Sequence, residues 1–168
     1  MIEKEFIALI RDTTRSKEFR RMKGYKHHVK GSVYDHSVKV AYLCYKHRKR
    51  FKMKIDIDEF IKGALLHDFY LYDLHGGGTP RRFHWFTHPG CALRNALEKY
   101  PFLTGTQQDM IRHHMFPLTP MPPKTAAGWL ICFYDKIAAI SDRFGENKWE
   151  LAQQYCKKHE KEMIYNTS

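Results

Sequence analysis

The sequence predicts an all-α protein, a bundle of helices folded as a single domain. Apolar residues recur at helical spacing in one segment after another. No segment shows convincing period-two alternation, so there is no signal for strands. Only 10 Gly and 7 Pro occur in 168 residues, and most of the Pro fall in one stretch, which favours long helices over short strands joined by turns. A chain of this length fits one domain and buries roughly 70% of the surface its unfolded form would expose, enough for a core without staples. With 43% hydrophobic and 14% aromatic residues, it is not a disordered chain.

Glu3 to Ile10 reads as a short helix with Phe6, Ile7 and Ile10 on one side. Arg15 to Gly31 is basic and irregular and carries Lys26, His27, His28 and Lys30. The next helix spans about Tyr34 to His47, with Val38, Ala41, Tyr42 and Tyr45 on one face and His36 in its first turn. A third spans Ile57 to Asp68, where Ile57, Phe60, Ile61, Ala64 and Leu65 share a stripe that Asp68 closes. Gly76-Gly77-Gly78-Thr79-Pro80 breaks the chain into a loop. A fourth helix is expected from His88-Pro89 to Tyr100, because Pro favours a first turn. Thr106 to His114 is a shorter helix, stopped by Pro117, Pro120, Pro122 and Pro123. Thr125 to Phe144 is long and apolar around most of its circumference, with a stripe of Ala126, Leu130, Phe133, Ile137, Ile140 and Phe144, and is expected at the centre. Trp149 to Met163 is a last, charged helix. The domain so defined takes in the whole chain, with its core at about 34–144 between a basic N-terminal segment and the C-terminal helix.

Twenty-nine Lys and Arg against 18 Asp and Glu give a formal charge of +11. That field concentrates anions, so the partner it suits is a phosphate-bearing small molecule, a nucleic acid or an acidic protein. The basic residues are spread along the chain and not interleaved with aromatics, which disfavours nucleic acid. Cys44, Cys91, Cys132 and Cys156 form no CxxC pair and read as buried thiols of a reducing compartment. No apolar leader and no run of about 18 apolar residues is evident, so a cytoplasmic protein without a membrane span is expected. The oligomeric state is not legible.

Histidine and carboxylate are the ligands of Zn, Fe, Mn, Co and Ni near neutral pH. The informative cases are those placed where a core belongs. Asp68 ends an apolar stripe, and Asp135 lies within the near-continuous apolar helix Ala126 to Phe144. A buried carboxylate without a cation costs several kcal/mol, so a Lys, an Arg or a metal must meet each. The candidates run His36, His67-Asp68, His88, His114, Asp135.

This H…HD…H…H…D order, with the local blocks YDHSVKVAYL, ALLHDFYLYD, HWFTHPGCAL, DMIRHHMFPLTP and CFYDKIAAI, resembles the HD-domain superfamily of metal-dependent phosphohydrolases. The blocks HDFYLYD and HMFPLTP are similar to a bacterial branch from which no activity carries over. The resemblance implies an all-α bundle with a metal site in its core. It implies that His36, His67, Asp68 and Asp135 hold one divalent ion and that Asp68, His88 and His114 complete a second, Asp68 bridging and orienting the nucleophile. Two ions about 3.5–4 Å apart suit attack of a metal-activated hydroxide on a phosphate ester or anhydride, with a nucleotide or dinucleotide as the expected substrate. Whether one or two ions bind, and which metal, stays open. His67 and Asp68 point about 100° apart on a helix, so they can share a site only beyond the helix end. Of the adjacent pair, the family pattern selects His114, leaving His113 at the surface or behind a ligand. The Met115-Phe116-Pro117-Leu118 that follows differs from the cyclic-dinucleotide branch, which argues against cyclic di-GMP and a third metal.

The resemblance also sets Lys136 near the substrate phosphate as a catalytic and binding residue. A surface Lys with its stem on the core is the alternative. Arg81 and Arg82, in the loop before His88, either clamp a phosphate or form a solvated pair. His84, four residues before His88, either supports it from behind or is structural. Tyr70, Tyr72 and Asp73 are expected beside the pocket, and His47, His75 and His159 at the surface. Two other functions share these residues: a di-iron oxygenase on the same scaffold, and a module that senses a nucleotide or binds nucleic acid.

Overall fold

A computed structural model describes residues 4–26, 31–71 and 81–144, excluding the side chains of residues 81–85 and 143–144. Within them lie seven α-helices and no strand: α1 Lys4–Arg15, α2 Lys17–Arg21, α3 Val33–Phe51, α4 Ile57–Leu66, α5 Arg81–Lys99, α6 Gly105–His113 and α7 Ala126–Phe144, with a 3-10 turn at Met22–Gly24. The glycine loop, Tyr72, Asp73, His27, His28, Lys30, His75, Cys156, His159 and the expected helix Trp149 to Met163 lie outside the described residues.

Helices α3, α4, α6 and α7 form the centre, α4 packing on α3 and α6, and α7 on α3 and α6. Helix α1 covers α4, and α5 lies along α6. Phe6, Phe19, Phe60, Ile61, Leu65 and Met110 are fully buried. Each such side chain contributes about 1.5–3 kcal/mol relative to exposure. No helix among the described residues is long and apolar enough to cross a membrane.

The starts of the central helices are fixed by their own side chains. Ser32 and Asp35 form a capping box at α3, and Thr104 and Gln107 form another at α6. Asp56 caps α4 by accepting from the Glu59 N–H.

Several elements differ from expectation. Helix α1 runs on to Arg15, since the Thr14 hydroxyl turns back to the Ile10 carbonyl at 2.8 Å and satisfies itself within the helix. The basic segment is partly ordered as α2 and the turn after it. Ser16 caps α2, while Phe19 and Met22 anchor it in the core. One turn of helix is too short to show a period. Helix α5 begins at Arg81, and Pro89 sits inside it. Arg81, Arg82 and His84 are therefore helical, not in a loop. Proline costs a helix interior one backbone bond and some bending, not its existence.

Helix α7 is central, but its inward face is the one with small residues. Ala127, Ile131, Cys132, Asp135 and Ala138 are buried, whereas Phe133 and Ile140 are more than half exposed. Close packing against α3 and α6 leaves no room for the larger stripe. His47 is half-buried and bonds the Tyr134 hydroxyl at 2.6 Å, so it links α3 to α7 instead of lying in solvent. Cys44 and Cys132 are buried free thiols, and Cys91 is half-buried.

Candidate metal centre

Six polar side chains converge where five elements meet. His36 comes from the first turn of α3, His67 and Asp68 from the end of α4, His88 from α5, His114 from the end of α6 and Asp135 from the middle of α7. All six are buried, none more than 8% exposed. The donor atoms of His36, His67 and Asp135 lie within 4.8 Å of one another, as do those of Asp68, His88 and His114.

The turn after α4 solves the divergence of His67 and Asp68. His67 is the C-terminal cap and Asp68 follows it, with the Tyr70 N–H bonded back to the Asp68 carbonyl at 2.7 Å. The Asn95 amide of α5 holds the Phe69 carbonyl at 3.1 Å and ties this turn in place. Both side chains then point past the helix end into one pocket. The ring of Tyr70 stands edge-on to His88 at 5.6 Å.

Two of the imidazoles are fixed in the same way. His67 donates from Nδ1 to the Ala64 carbonyl and His114 from Nδ1 to the Ile111 carbonyl, each at 2.8 Å and each to a helix-end carbonyl with no partner in its own helix. Each Nε2 is thereby left as a lone pair directed inward. His114 Nε2 lies 2.8 Å from His88 Nε2. His67 Nε2 is buried and has no hydrogen-bond partner among the described residues, with carboxylate oxygens of Asp68 and Asp135 each 3.6 Å away.

Charge in the pocket is strongly coupled. Burial disfavours ionised Asp135, but His36 and His67 outweigh it and hold the carboxyl well below the usual range. Burial likewise opposes a charge on His36, yet Asp135 at 3.0 Å and Asp142 at 3.6 Å push its pKa up to about 9. His114 is lowered, first by burial and then against Asp68 by the neighbouring His88 and His67. Buried carboxylates facing four imidazoles call for positive charge at their centre. A proton on His36 supplies some of it. A divalent transition ion supplies more and uses every inward lone pair, so the nitrogen and oxygen donors present fit such an ion.

The other expected residues sit less close. Lys136 donates to the backbone carbonyls of His114 at 3.0 Å and Cys132 at 3.1 Å, holding the end of α6 to α7 beside the pocket. His113 is buried, not at the surface, and its Nδ1 bonds Asp109 at 2.8 Å instead of backing any of the six. The side chains of Arg81, Arg82 and His84 lie outside the described residues. Sequence reasoning passed over Asp142 and Lys39. Lys39 lies three residues after His36, and Asp142 lies seven after Asp135, so helical spacing puts each on the face of a candidate ligand.

No curated protein and no solved structure matches the chain. The family model described as HD domain matches residues 33–144, well over half of the sequence, and the matched span begins with α3 and ends with α7. That span carries all six converging residues, and the chain belongs to the HD-domain superfamily, whose members are generally metal-dependent phosphohydrolases.

Proposed function

We propose that the chain is a dinuclear metal-dependent phosphohydrolase acting on a phosphate ester or anhydride, with a nucleotide or dinucleotide as substrate. One observation carries this reading. The two oxygens of Asp68 face opposite groups: Oδ2 lies 3.9 Å from His36 and 3.6 Å from His67, while Oδ1 lies 3.2 Å from His88 and 3.3 Å from His114. In this reading His36, His67, Asp68 and Asp135 hold one ion, and Asp68, His88 and His114 hold the other. Bound ions of this class neutralise charge on phosphate oxygens and make a water deprotonated near neutral pH.

The chain's own groups prepare the rest. The helix-end carbonyls under His67 and His114 keep those rings from turning. Burial of the six residues excludes bulk water and strengthens each electrostatic contact. The net charge of +11 draws anionic substrate. Lys136 beside the pocket, with Arg81 and Arg82 on α5, completes the reading as the groups that bind the phosphate.

Metal analysis of the purified protein, then a panel of phosphatase and phosphodiesterase substrates with that metal restored, tests this. Asp68→Ala is expected to lose bound metal and bring turnover down to the uncatalysed background. Full activity in that variant would sink the reading. Turnover that requires oxygen would assign the site to an oxygenase instead. Salt-dependent nucleic-acid affinity that survives metal removal would assign the chain to a binding module.

A further inference from the structure

His36 lies between two carboxylates. Its Nε2 faces the pocket, 3.0 Å from Asp135 Oδ1. Its Nδ1 faces outward, 3.6 Å from Asp142 Oδ2. The other oxygen of Asp142 accepts from Lys39 Nζ at 2.6 Å. That ammonium also donates to the Ser141 hydroxyl at 2.6 Å and to the Ala138 carbonyl at 3.4 Å, and the Lys39 side chain is only 5% exposed. Helices α3 and α7 therefore meet at two successive levels, His36 with Asp135 and Lys39 with Asp142.

The second level solves a problem created by the first. His36 has no helix-end carbonyl beneath it comparable to those under His67 and His114, because it sits in a first turn and not a last one. Something else must hold the outer nitrogen for the inner one to present a lone pair. A carboxylate 3.6 Å from the outer nitrogen, at ion-pair and not hydrogen-bond distance, favours a proton there electrostatically and so leaves the inner nitrogen as the lone pair. Left alone, that carboxylate would add a further partly buried negative charge beside the pocket. Lys39 neutralises it, so the orientation is gained without changing the net charge the centre presents.

We infer that Asp142 is a positioning residue for the metal centre, holding the outer ring nitrogen of His36 so that the inner one faces the cation, with Lys39 as its counter-ion. The inference rests on the proposed metal site and extends it by two residues.

The test uses Co²⁺ as probe on the chelator-treated full chain, with affinity read by competition and coordination read from visible absorption. His36→Ala and His88→Ala identify which bound ion belongs to which group. Asp142→Asn is expected to weaken the ion that His36→Ala removes by about 10–100-fold and to alter its absorption, while the ion dependent on His88 keeps its affinity. Affinity within about twofold of the parent chain overturns the inference. So does an equal loss at both ions, which would mean that Asp142 acts only through the fold. If Asp142→Asn does not fold because Lys39 is left unpaired, the paired change Lys39→Met with Asp142→Asn removes both charges, and the same selective loss is expected. A parent chain that binds no Co²⁺ refutes the metal site itself, which separates that failure from one confined to Asp142.

Discussion

Asp109 shows how much one carboxylate can organise. It accepts from the backbone N–H of Lys124 and Thr125, from the Thr125 hydroxyl at 2.7 Å and from His113 at 2.8 Å. Thr125 in turn accepts from the Gly128 N–H at 3.0 Å, in the first turn of α7. Burial opposes the charge on Asp109, but these donors outweigh it and hold its pKa below the ordinary value. A depressed folded pKa means that the unfolded chain takes up protons first, so stability rises with pH through this region. The contribution is complete above the ordinary carboxylate pKa of about 4 and is lost as pH falls through the lower folded value. Asp109→Asn keeps the shape and removes the charge. It is expected to cost about 1–3 kcal/mol at pH 7 and to flatten the acid side of the stability profile. Urea unfolding at neutral and acid pH checks this, and a parallel shift of the two profiles would contradict it.

Between elements, spacing governs. Gly128 lies where α7 begins, and a Cβ there would stand 2.6 Å from Asp109 Oδ2 and 2.8 Å from Pro123 Cβ. Neither neighbour can easily retreat, since one is fixed by four donors and the other by its ring. Gly128→Ala is therefore expected to destabilise by about 1–3 kcal/mol despite the better helix propensity of Ala, measured as a lower denaturation midpoint with unchanged slope. An unchanged midpoint would show that the loop before α7 absorbs the methyl group. The same scale shows why part of the molecule was legible and part was not. Asp68 and Asp135 stood out because one carboxylate ends an apolar stripe and the other lies within a near-continuous apolar helix, a contrast that survives in one dimension, whereas His36 was picked out by the family pattern. Helix α7 reads inside out because hydrophobicity marks Phe133 and Ile140 for the core, whereas the seam with α3 and α6 selects for size and takes Ala127 and Ala138. Lys39 and Asp142 resemble any solvated pair of charges in sequence. The burial of Lys39 and the partial burial of Asp142 follow from how α3 packs on α7, which periodicity does not encode.

At the largest scale, five of the described helices contribute to one cluster of buried side chains. They come from α3, α5 and α7 and from the ends of α4 and α6, so an ion bound there would tie together five parts of the fold. Such an ion binds the native chain in preference to the unfolded one and stabilises it by about 2.7 kcal/mol at a hundredfold excess over its dissociation constant. Stripping metal from the loaded protein is expected to lower the thermal midpoint by about 5–10 °C at this size, with recovery when the ion is returned. A midpoint indifferent to a chelator that demonstrably removes the metal would contradict a shared centre. Ala138 adds a further consequence. It is fully buried on α7, one turn beyond Asp135, and its carbonyl meets Lys39 of α3. A larger side chain at this fully buried position is expected to shift α7 against its neighbours and with it the Asp135 carboxylate. The bite of the pocket, and hence the radius of any cation it would accept, would then depend on a methyl group outside the six converging residues.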